Sequence, residues 1–273
     1  MAPGADHDRE GLAWQRTVWD RISSTYLQEV DRRFEPVVDA VVRRAALAAG
    51  HRVLDLGTGT GAVAVRAAPL VRPGGQVTAV DISPEMLALA RGRAAAAGLT
   101  DIVFAEGRAE AIPAEAGSAD VVLASLSLMY AIDRAAAARE IARVLCPGGR
   151  LLAAVWAGPD RCDIVRFQQA AGSFAPPPPV PGVGPGALAD PAPFVAQLAD
   201  AGITAQVETE QLGFDFPSFD LAWDVLAGVT AAALPPDRQQ AARAAVKALM
   251  WPAGDGPRHF ANLTQFILGR RRP

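Results

Sequence analysis

The first fifty residues carry apolar side chains at three- and four-residue steps, which is the spacing of one face of a helix. The set comprises Val18, Ile22, Tyr26, Leu27, Val30 and Phe34. It predicts a helix from about Trp14 to Phe34, which Pro36 ends because proline has no backbone N–H. A second apolar stretch predicts another helix from Val37 to Leu47, ended by Gly50.

From residue 51 the pattern changes to short β-rich runs that alternate with alanine-rich helical stretches. The β-rich runs read RVLDLG, GQVTAVD, IVFAEG, ADVVLAS and RLLAAVW, and the last helical stretch between them runs from Asp133 to Leu145. Ser83 and Pro84 fit the cap and first turn of a helix, and Pro147-Gly148-Gly149 fits a turn that ends one. This alternation predicts parallel βαβ units in a doubly wound sheet.

After Trp156 the alternation weakens, and a proline- and glycine-rich stretch, APPPPVPGVGPGALADP, predicts a surface loop. The other predicted elements are a helix near Asp163 to Ser173, a helix from Pro191 to Ala201, a strand near Ile203 to Phe214, helical segments between Ser218 and Met250, and a closing strand near Leu263 to Gly269. We therefore expect an N-terminal helical cap over residues 1–50 and a ligand-binding core over 51–156. Residues 157–273 would add substrate-cap insertions and closing strands to the same domain.

Composition and charge narrow the class of partner. Of the 273 residues 51% are hydrophobic and 20% charged, as in ordinary folded proteins. The net charge of −3, with scattered Arg and Lys, argues against a nucleic-acid partner. Cys146 and Cys162 have no metal-like or redox-like spacing, and no apolar run approaches the roughly 18 residues of a spanning helix. We expect a cytoplasmic monomer or homodimer with a small-molecule substrate, no membrane partner and no metal.

A glycine-rich turn follows the first β-rich run, in the stretch Val53-Leu54-Asp55-Leu56-Gly57-Thr58-Gly59-Thr60-Gly61. Such a turn between a strand and a helix lets the backbone approach a nucleotide-like ligand. The spacing also fits the dinucleotide pattern in its Gly/Ala form, through Ala62. Asp55, however, would repel a pyrophosphate and attract a cationic ligand such as S-adenosylmethionine. Asp81, twenty positions after Gly61, can accept hydrogen bonds from ribose hydroxyls in either case.

Four motifs in the same order make the stretch from Val53 to about Trp156 resemble the class I S-adenosylmethionine-dependent methyltransferases. They are VLDLGTGTG, AVDISPEML, EGRAEAIP and ADVVLASLSLMYAIDRAAAAREIARVLCPGGRL. The stretch is most similar to the branch that contains the ubiquinone and menaquinone biosynthesis methyltransferases. The resemblance implies S-adenosylmethionine as cofactor. It also implies a Rossmann-like doubly wound sheet, mostly parallel with an antiparallel last strand, and N-terminal and inserted helical caps.

The resemblance assigns the methionine part of the cofactor to three residues and to the glycine-rich turn. Asp55 would meet the ammonium group through water, and Ser125 would present its backbone carbonyl to the same group. Tyr26 would reach over the methionine carboxylate. The turn would wrap the methionine and the ribose with Gly57, Thr58, Gly59 and Gly61.

The resemblance also assigns the adenosine part, with one departure from the family. Asp81 would hold the ribose, and the adenine ring would be contacted by Ile82, Met86 and the backbone amide of Ala109. The family usually has Asp before that alanine, where this chain has Arg108. The contact to the adenine amino group is therefore lost or supplied by Glu110.

The acceptor side departs from the family as well. After the fourth strand the family often has histidine, but this chain has Met129 and Tyr130, which we expect to contact the acceptor. His259, in the C-terminal region expected to cover the site, is the candidate catalytic base. Methyl transfer from a sulfonium is an in-line displacement, so alignment and exclusion of water can supply much of the rate. A base is needed only if the acceptor must first lose a proton.

These expectations together predict O-, C-, N- or S-methylation of a small, largely apolar metabolite, in secondary metabolism or quinone-like biosynthesis. The pocket would be formed by residues 1–50 and 157–262 over the sheet edge. Two alternatives stay open at this stage. One is a protein that binds the cofactor without methyl transfer, as a cyclase, a decarboxylase or a binding module. The other is an NAD-dependent oxidoreductase.

Overall fold

The computed structural model describes residues 3–231 and 234–273. Within them seven strands form one sheet. The strands are β1 (Arg52–Leu56), β2 (Gln76–Asp81), β3 (Ile102–Glu106), β4 (Ala119–Ser125), β5 (Leu145–Trp156), β6 (Ile203–Phe216) and β7 (Arg258–Arg271). Residues 1, 2, 232 and 233 fall within the predicted N-terminal cap and the predicted helical segments Ser218 to Met250, and they lie outside the described residues.

The helices precede, connect and follow these strands. They are α1 (Pro3–Thr25), α2 (Asp31–Ala45), α3 (Ala62–Val71), α4 (Pro84–Ala96), α5 (Arg134–Val144), α6 (Asp163–Gly172), α7 (Ala192–Asp200), α8 (Phe219–Leu226) and α9 (Pro236–Met250). A π turn, Tyr26–Val30, joins α1 to α2, and a short 3-10 turn, Leu128–Tyr130, follows β4.

The strand order is β3-β2-β1-β4-β5-β7-β6. Neighbouring strands from β3 to β5 pair in parallel, whereas β7 pairs antiparallel with both β5 and β6. The predicted fold class, mostly parallel with an antiparallel last strand, is confirmed. The last strand of the chain lies inside the sheet, and β6 forms the edge.

The central strands are buried on both faces, which explains their continuous apolar sequences. In β4 the residues Val121, Val122, Leu123 and Ala124 have no exposed surface. The helices α2, α3 and α4 contact one another in one layer, and α5 and α7 pack together in another. The core therefore surrounds the sheet, and a group of buried polar side chains, Asp55, Thr58, Thr60, Asp81 and Ser83, lies at or just after the ends of β1 and β2.

The predicted break at Pro36 is wrong. The backbone stays helical from Pro3 to Ala45, through the π turn Tyr26–Val30, and Pro36 lies inside α2. Proline removes one backbone donor, but Phe34, Val37 and Val41 remain buried on one side of α2. Tertiary packing of this apolar face outweighs the local cost of the proline.

Two boundaries in the second half of the core also differ from the prediction. Pro147-Gly148-Gly149, predicted as a turn, lies inside β5 as an irregularity, where the pairing with β4 shifts between Ala119 and Val121. The closing strand β7 begins at Arg258 rather than near Leu263 because it pairs with β6 along its whole length. The proline- and glycine-rich stretch before α7 forms turns and bends without helix or strand, as predicted.

Candidate functional site

The carboxyl ends of β1 and β4 meet where the strand order reverses direction. β1 pairs with β2 on one side and with β4 on the other, so the loops that leave β1 and β4 diverge. In open α/β sheets ligands bind in the crevice at such a point. Three cavities share side chains here, among them Tyr26 and Leu126.

The glycine-rich turn after β1 has the backbone that its sequence predicts. Gly57, Gly59 and Gly61 all have positive φ, at 72°, 54° and 83°. A Cβ on Gly61 would lie 3.0 Å from the Cβ of Ala90, so this glycine allows close packing against α4. A Cβ on Gly59 would meet nothing within 4 Å. The turn therefore leaves open space above Gly59, where a ligand can approach the backbone.

Asp55 lies at the end of β1 beneath this turn and is 1% exposed. Its Oδ2 accepts a hydrogen bond from the Thr58 hydroxyl at 2.6 Å, while its Oδ1 is buried without a hydrogen-bonding partner. Burial raises the pKa of Asp55 from 3.8 to about 7, and the Thr58 hydroxyl and the Ala64 backbone amide act in the opposite direction. A buried carboxylate with a free oxygen is suited to a cationic ligand group.

Asp81 ends β2 and orients the other side of the turn. Its Oδ2 accepts from the backbone N–H of Gly59 at 2.7 Å, and its Oδ1 accepts from that of Ser83 at 3.0 Å. Burial raises its pKa although both hydrogen bonds lower it. Because a carboxylate offers about four lone-pair sites, Asp81 keeps capacity for two ligand hydroxyls.

The first cavity is an open crevice of about 770 Å³ that runs from the glycine-rich turn past Asp81 to the loop after β3. It brings together ten of the residues predicted from the sequence, namely Tyr26, Gly57, Gly59, Asp81, Ile82, Met86, Arg108, Ala109, Ser125 and Tyr130. Asp55 and Thr58 instead line a third cavity of about 400 Å³ on the other side of the turn, together with Ser125. Gly61 lines none of the three and packs on α4.

The residues expected at an adenine ring lie at the far end of the first cavity. Arg108 and Glu110 both line it beside Ala109. The Oε1 of Glu110 accepts from the backbone N–H of Ile132 at 2.6 Å, which holds the carboxylate in place. That Glu110 replaces the acceptor which the family usually has one residue before Ala109 stays a prediction.

One wall of the first cavity comes from α1 and was missed by the sequence analysis. Leu12, Gln15 and Trp19 line it, and the Gln15 side-chain amide donates to the backbone carbonyl of Tyr130 at 2.8 Å. These residues and Tyr26 follow a helical spacing of three, four and seven residues. This spacing, which places the four residues along one side of the helix, was the sequence signal that could have identified them.

A second cavity of about 900 Å³ adjoins the first. The two share Trp19, Tyr26, Leu126 and Tyr130. The Trp19 and Tyr130 rings meet edge to face with centroids 4.9 Å apart, and together with Tyr26 they form the partition between the cavities. The remaining walls are mostly apolar and include Val30, Phe34, Met129, Trp156, Ile164 and Val225.

Both tyrosines in the partition are neutral at physiological pH. Burial of their hydroxyl groups raises the pKa of Tyr130, and it raises that of Tyr26 well above the ordinary value, with Asp31 adding to the effect. A neutral phenol can donate a hydrogen bond but is a poor general base.

The loop after β4 shapes both cavities. Leu126 has φ of +58°, which is uncommon for a residue other than glycine, and its N–H donates to the carbonyl of Ala154 at 2.8 Å. Met129 is 1% exposed and lines the second cavity, while Tyr130 lines both. The two residues that replace the family's histidine therefore face the proposed acceptor region.

The structure does not bring His259 to any of these cavities. The imidazole lies on β7 near the sheet edge with 60% of its side chain exposed. Its Nδ1 is 2.9 Å from Oδ1 of Asp215 on β6. The antiparallel pairing of β6 and β7 sets this position, and the residues after Trp156 that line the second cavity are instead Ile164, Gln168, Pro185, Asp224, Val225, Leu226 and Gly228.

A buried polar network that the sequence did not reveal joins the cap helices to the glycine-rich turn. The Oδ2 of Asp31 accepts from the Thr60 hydroxyl at 2.6 Å and from the Arg93 guanidinium at 2.7 Å. Asp31 is 7% exposed, and burial raises its pKa. The first residue of α2 is thereby tied both to the turn and to α4.

Across residues 3–231 and 234–273, His, Cys, Asp and Glu side chains form no group of three or more that could hold a metal ion. In the same residues no helix combines the length and the apolar character needed to cross a bilayer.

Comparison with known proteins finds a family, relatives of similar sequence and similar solved structures. A family model described as a methyltransferase domain matches residues 54–153. An uncharacterised protein of Mycobacterium tuberculosis is 37% identical over 131 residues, 48% of this chain and 46% of that protein. The ubiquinone/menaquinone biosynthesis C-methyltransferase UbiE of Pasteurella multocida is 38% identical over 104 residues, 38% of this chain and 39% of that enzyme.

Among solved structures, the YcgJ protein of Bacillus subtilis is similar with a TM-score of 0.65, over 87% of this chain and 99% of that one. At 23% identity this likeness shows the fold. The chain spans about half the length of the relatives it matches in sequence, or less. The matched residues coincide with the strands and turns that build the first cavity.

Proposed function

This chain contains a class I S-adenosylmethionine-dependent methyltransferase domain related to the ubiquinone and menaquinone biosynthesis methyltransferases, and from this premise we propose that the whole protein methylates a small, largely apolar metabolite. The observation that carries the proposal is the pair of cavities that share the aromatic partition of Trp19, Tyr26 and Tyr130. One cavity is shaped for the cofactor, and the other offers a mostly apolar space directly beside it.

S-adenosylmethionine is the cofactor of such a domain, and its sulfonium group supplies the methyl group. The residues present fit it. The unpartnered Oδ1 of Asp55 and the raised pKa of this carboxyl match a site that gains a cation. The open space at Gly59 admits the ligand to the backbone, and Asp81 has lone pairs for ribose hydroxyls. We assign Ile82, Met86, Arg108 and Ala109 of the first cavity to the adenosine, and Tyr26 and Ser125 to the methionine part.

The second cavity is our candidate acceptor site. It adjoins the first cavity along the aromatic partition of Trp19, Tyr26 and Tyr130. Aromatic and aliphatic walls favour an apolar molecule because burying such a surface is worth about 25 cal/mol per Å². We place Met129 and Tyr130 against this acceptor.

The titratable groups of the second cavity argue for an acceptor that is nucleophilic when it binds. Among the described residues that line it, these are Arg21, Tyr26, Tyr130 and Asp224. The tyrosines are neutral, and Asp224 is exposed to solvent. What these residues supply is position and exclusion of water, which suits a phenolate, enolate, thiolate or amine.

The test is direct transfer of labelled methyl groups. The protein would be incubated with labelled S-adenosylmethionine and separate panels of phenols, quinols, thiols and amines, with S-adenosylhomocysteine measured alongside. We expect label in at least one apolar acceptor, loss of transfer in Asp55→Asn, and retention in Asp120→Asn, a strand carboxylate paired with Arg52 outside the cavities. No transfer to any class, or cofactor binding without S-adenosylhomocysteine, would contradict the proposal.

The three-part organisation predicted from the sequence belongs to the same proposal. Residues 1–50 would cap the cofactor, 51–156 would bind it, and the segments after 156 would form the acceptor side and close the sheet. The wall that α1 contributes and the residues of α6 and α8 in the second cavity support this division. Cytoplasmic location and a monomer or homodimer stay predictions.

A further inference from the structure

One polar side chain in the second cavity has an unsatisfied group that the methyl-transfer chemistry does not use. Gln168, on α6, is 9% exposed and lines the cavity opposite the aromatic partition, on an element that also contributes Ile164. Its amide oxygen is buried without a hydrogen-bonding partner. A half-turn about the last side-chain bond exchanges the two ends of an amide, so either end can face the cavity.

A second unsatisfied group lies just beyond Gln168. A fourth cavity of about 500 Å³ shares Gln168 and Pro185 with the second cavity and is lined by the glycine-rich segment of residues 182–187. Thr230 lines it, and the Thr230 hydroxyl oxygen is also buried without a partner. The two cavities thus adjoin at Gln168, and the fourth cavity adds Thr230 as a second side chain with an unpartnered hydrogen-bonding atom.

Two side chains with unpartnered hydrogen-bonding atoms, in the walls of an otherwise mostly apolar space, constrain what can fill that space. An apolar group placed there would leave both without a partner, which costs affinity, whereas a hydroxyl or amide would satisfy them. Sites built in this way discriminate strongly against analogues that lack the matching polar group.

We propose that the acceptor is an elongated, ring-containing apolar molecule with a hydroxyl or amide group at the end remote from the methylated atom, and that Gln168 and Thr230 recognise that group. This inference rests on the proposed function, since it takes the second cavity as the acceptor site. Gln168 and Thr230 determine specificity, and they are distant from the transfer step.

A pair of rigid probes that differ by one remote hydroxyl tests the inference. We would measure binding of 4-hydroxybiphenyl and 4,4′-dihydroxybiphenyl to the protein saturated with S-adenosylhomocysteine, through quenching of Trp19 and Trp156, which line the second cavity. We expect the dihydroxy probe to bind about tenfold more tightly, as one buried hydrogen bond predicts. In Gln168→Leu and in Thr230→Val this preference should fall to about threefold or less, while the monohydroxy probe binds as before or better.

Controls separate recognition from folding. Gln206→Leu, on the edge strand β6 outside all four cavities, should keep the wild-type preference. Gln168→Met gives a second unbranched replacement, and neither variant at 168 should lower the melting temperature, because an unsatisfied polar group is replaced by an apolar one.

Equal binding of the two probes by the wild-type protein, no binding of the dihydroxy probe, or a preference unchanged in Gln168→Leu and Gln168→Met would each overturn the inference. The readout does not depend on methyl transfer. A preserved preference in a protein that transfers no methyl group would refute the proposed function alone, whereas transfer without the preference would refute this inference alone.

Discussion

Replacing Asp55 by Asn should remove a pH dependence of cofactor binding that the structure allows to be worked out. The pKa of Asp55 rises from 3.8 to about 7 because the carboxyl is buried. A difference of about three units corresponds to roughly 4 kcal/mol against the ionised form in the ligand-free protein. A cationic ligand group beside Oδ1 favours the ionised carboxylate, so the ligand binds to the form of the protein in which Asp55 is ionised.

The direction of the pH dependence follows from the number of protons that Asp55 releases when the ligand binds. Below pH 7 Asp55 is protonated in the free protein and must lose its proton when the cation binds. At pH 6 about 0.9 protons should be released per ligand bound, at pH 8 only about 0.1, and the dissociation constant should rise about tenfold per unit below pH 7. Calorimetry with S-adenosylhomocysteine in buffers of different ionisation enthalpy measures both quantities.

Asp55→Asn keeps the shape and an acceptor for the Thr58 hydroxyl but cannot ionise. At pH 8 it should weaken binding about 30- to 100-fold, as expected for a charge-assisted contact worth about 2–3 kcal/mol. Proton release at pH 6 should fall sharply. Any remainder belongs to other buried carboxyls such as Asp31 and Asp81, whose pKa values burial also raises. Asp120→Asn, at the start of β4, should leave the binding profile unchanged.

Stability should move in the opposite direction to binding. A carboxyl with a raised pKa binds its proton more tightly in the folded state than in the unfolded state. Its contribution to the free energy of unfolding is therefore present at low pH and is lost as pH rises from about 4 through about 7. Ligand-free Asp55→Asn should therefore melt higher than the wild type at pH 8 and similarly at pH 4. Wild-type affinity in Asp55→Asn at pH 8, or no proton release by the wild type at pH 6, would refute the reasoning.

Four further substitutions have expected effects that follow from the same geometry. Gly59→Ala should weaken the binding of S-adenosylhomocysteine about tenfold in calorimetry, because the new Cβ enters open ligand space, and should destabilise the fold by about 1 kcal/mol because φ is positive there. Gly61→Ala should lower the melting temperature more than Gly59→Ala does, because its Cβ meets Ala90. His259→Ala should leave the rate of methyl transfer unchanged and alter the free energy of unfolding by less than about 0.5 kcal/mol, because the imidazole is exposed. A large loss of rate would instead support His259 as a general base. Asp31→Asn should cost about 2–3 kcal/mol in denaturant unfolding by breaking a buried ion pair, and an unchanged midpoint would contradict this role of the network.

The residues that the sequence predicted well are those whose positions depend on local structure. Asp55 and Asp81 end buried strands, and the glycine-rich turn sits between a strand and a helix, so strand, turn and helix signals suffice to place them. Ser83 likewise caps α4 as predicted, with its hydroxyl accepting from the Met86 N–H at 3.1 Å. Their roles toward the cofactor stay predictions.

The rest depends on how distant segments pack. Trp19 joins the partition only because α1 lies across the loops of the sheet, and Gln168 reaches the second cavity from a helix more than a hundred residues further on. The sequence predicted His259 near the site only because it lies in the C-terminal region. The register of β7 against β6 decides its position, and this register puts His259 beside Asp215 at the sheet edge. Long-range pairing of this kind leaves no periodic signal in the sequence.

Tyr26 lies where the N-terminal cap helices meet the cavities. This residue begins the π turn between α1 and α2, and it lines all three cavities around the end of the sheet. Five residues later Asp31 binds Thr60 of the glycine-rich turn, so the orientation of Tyr26 depends on a network that also holds the turn. The same short segment therefore lies between the cavities and contacts the glycine-rich turn. In the proposed function, where these cavities hold the cofactor and the acceptor, the joint between the cap helices and the core would set the alignment that an in-line displacement requires.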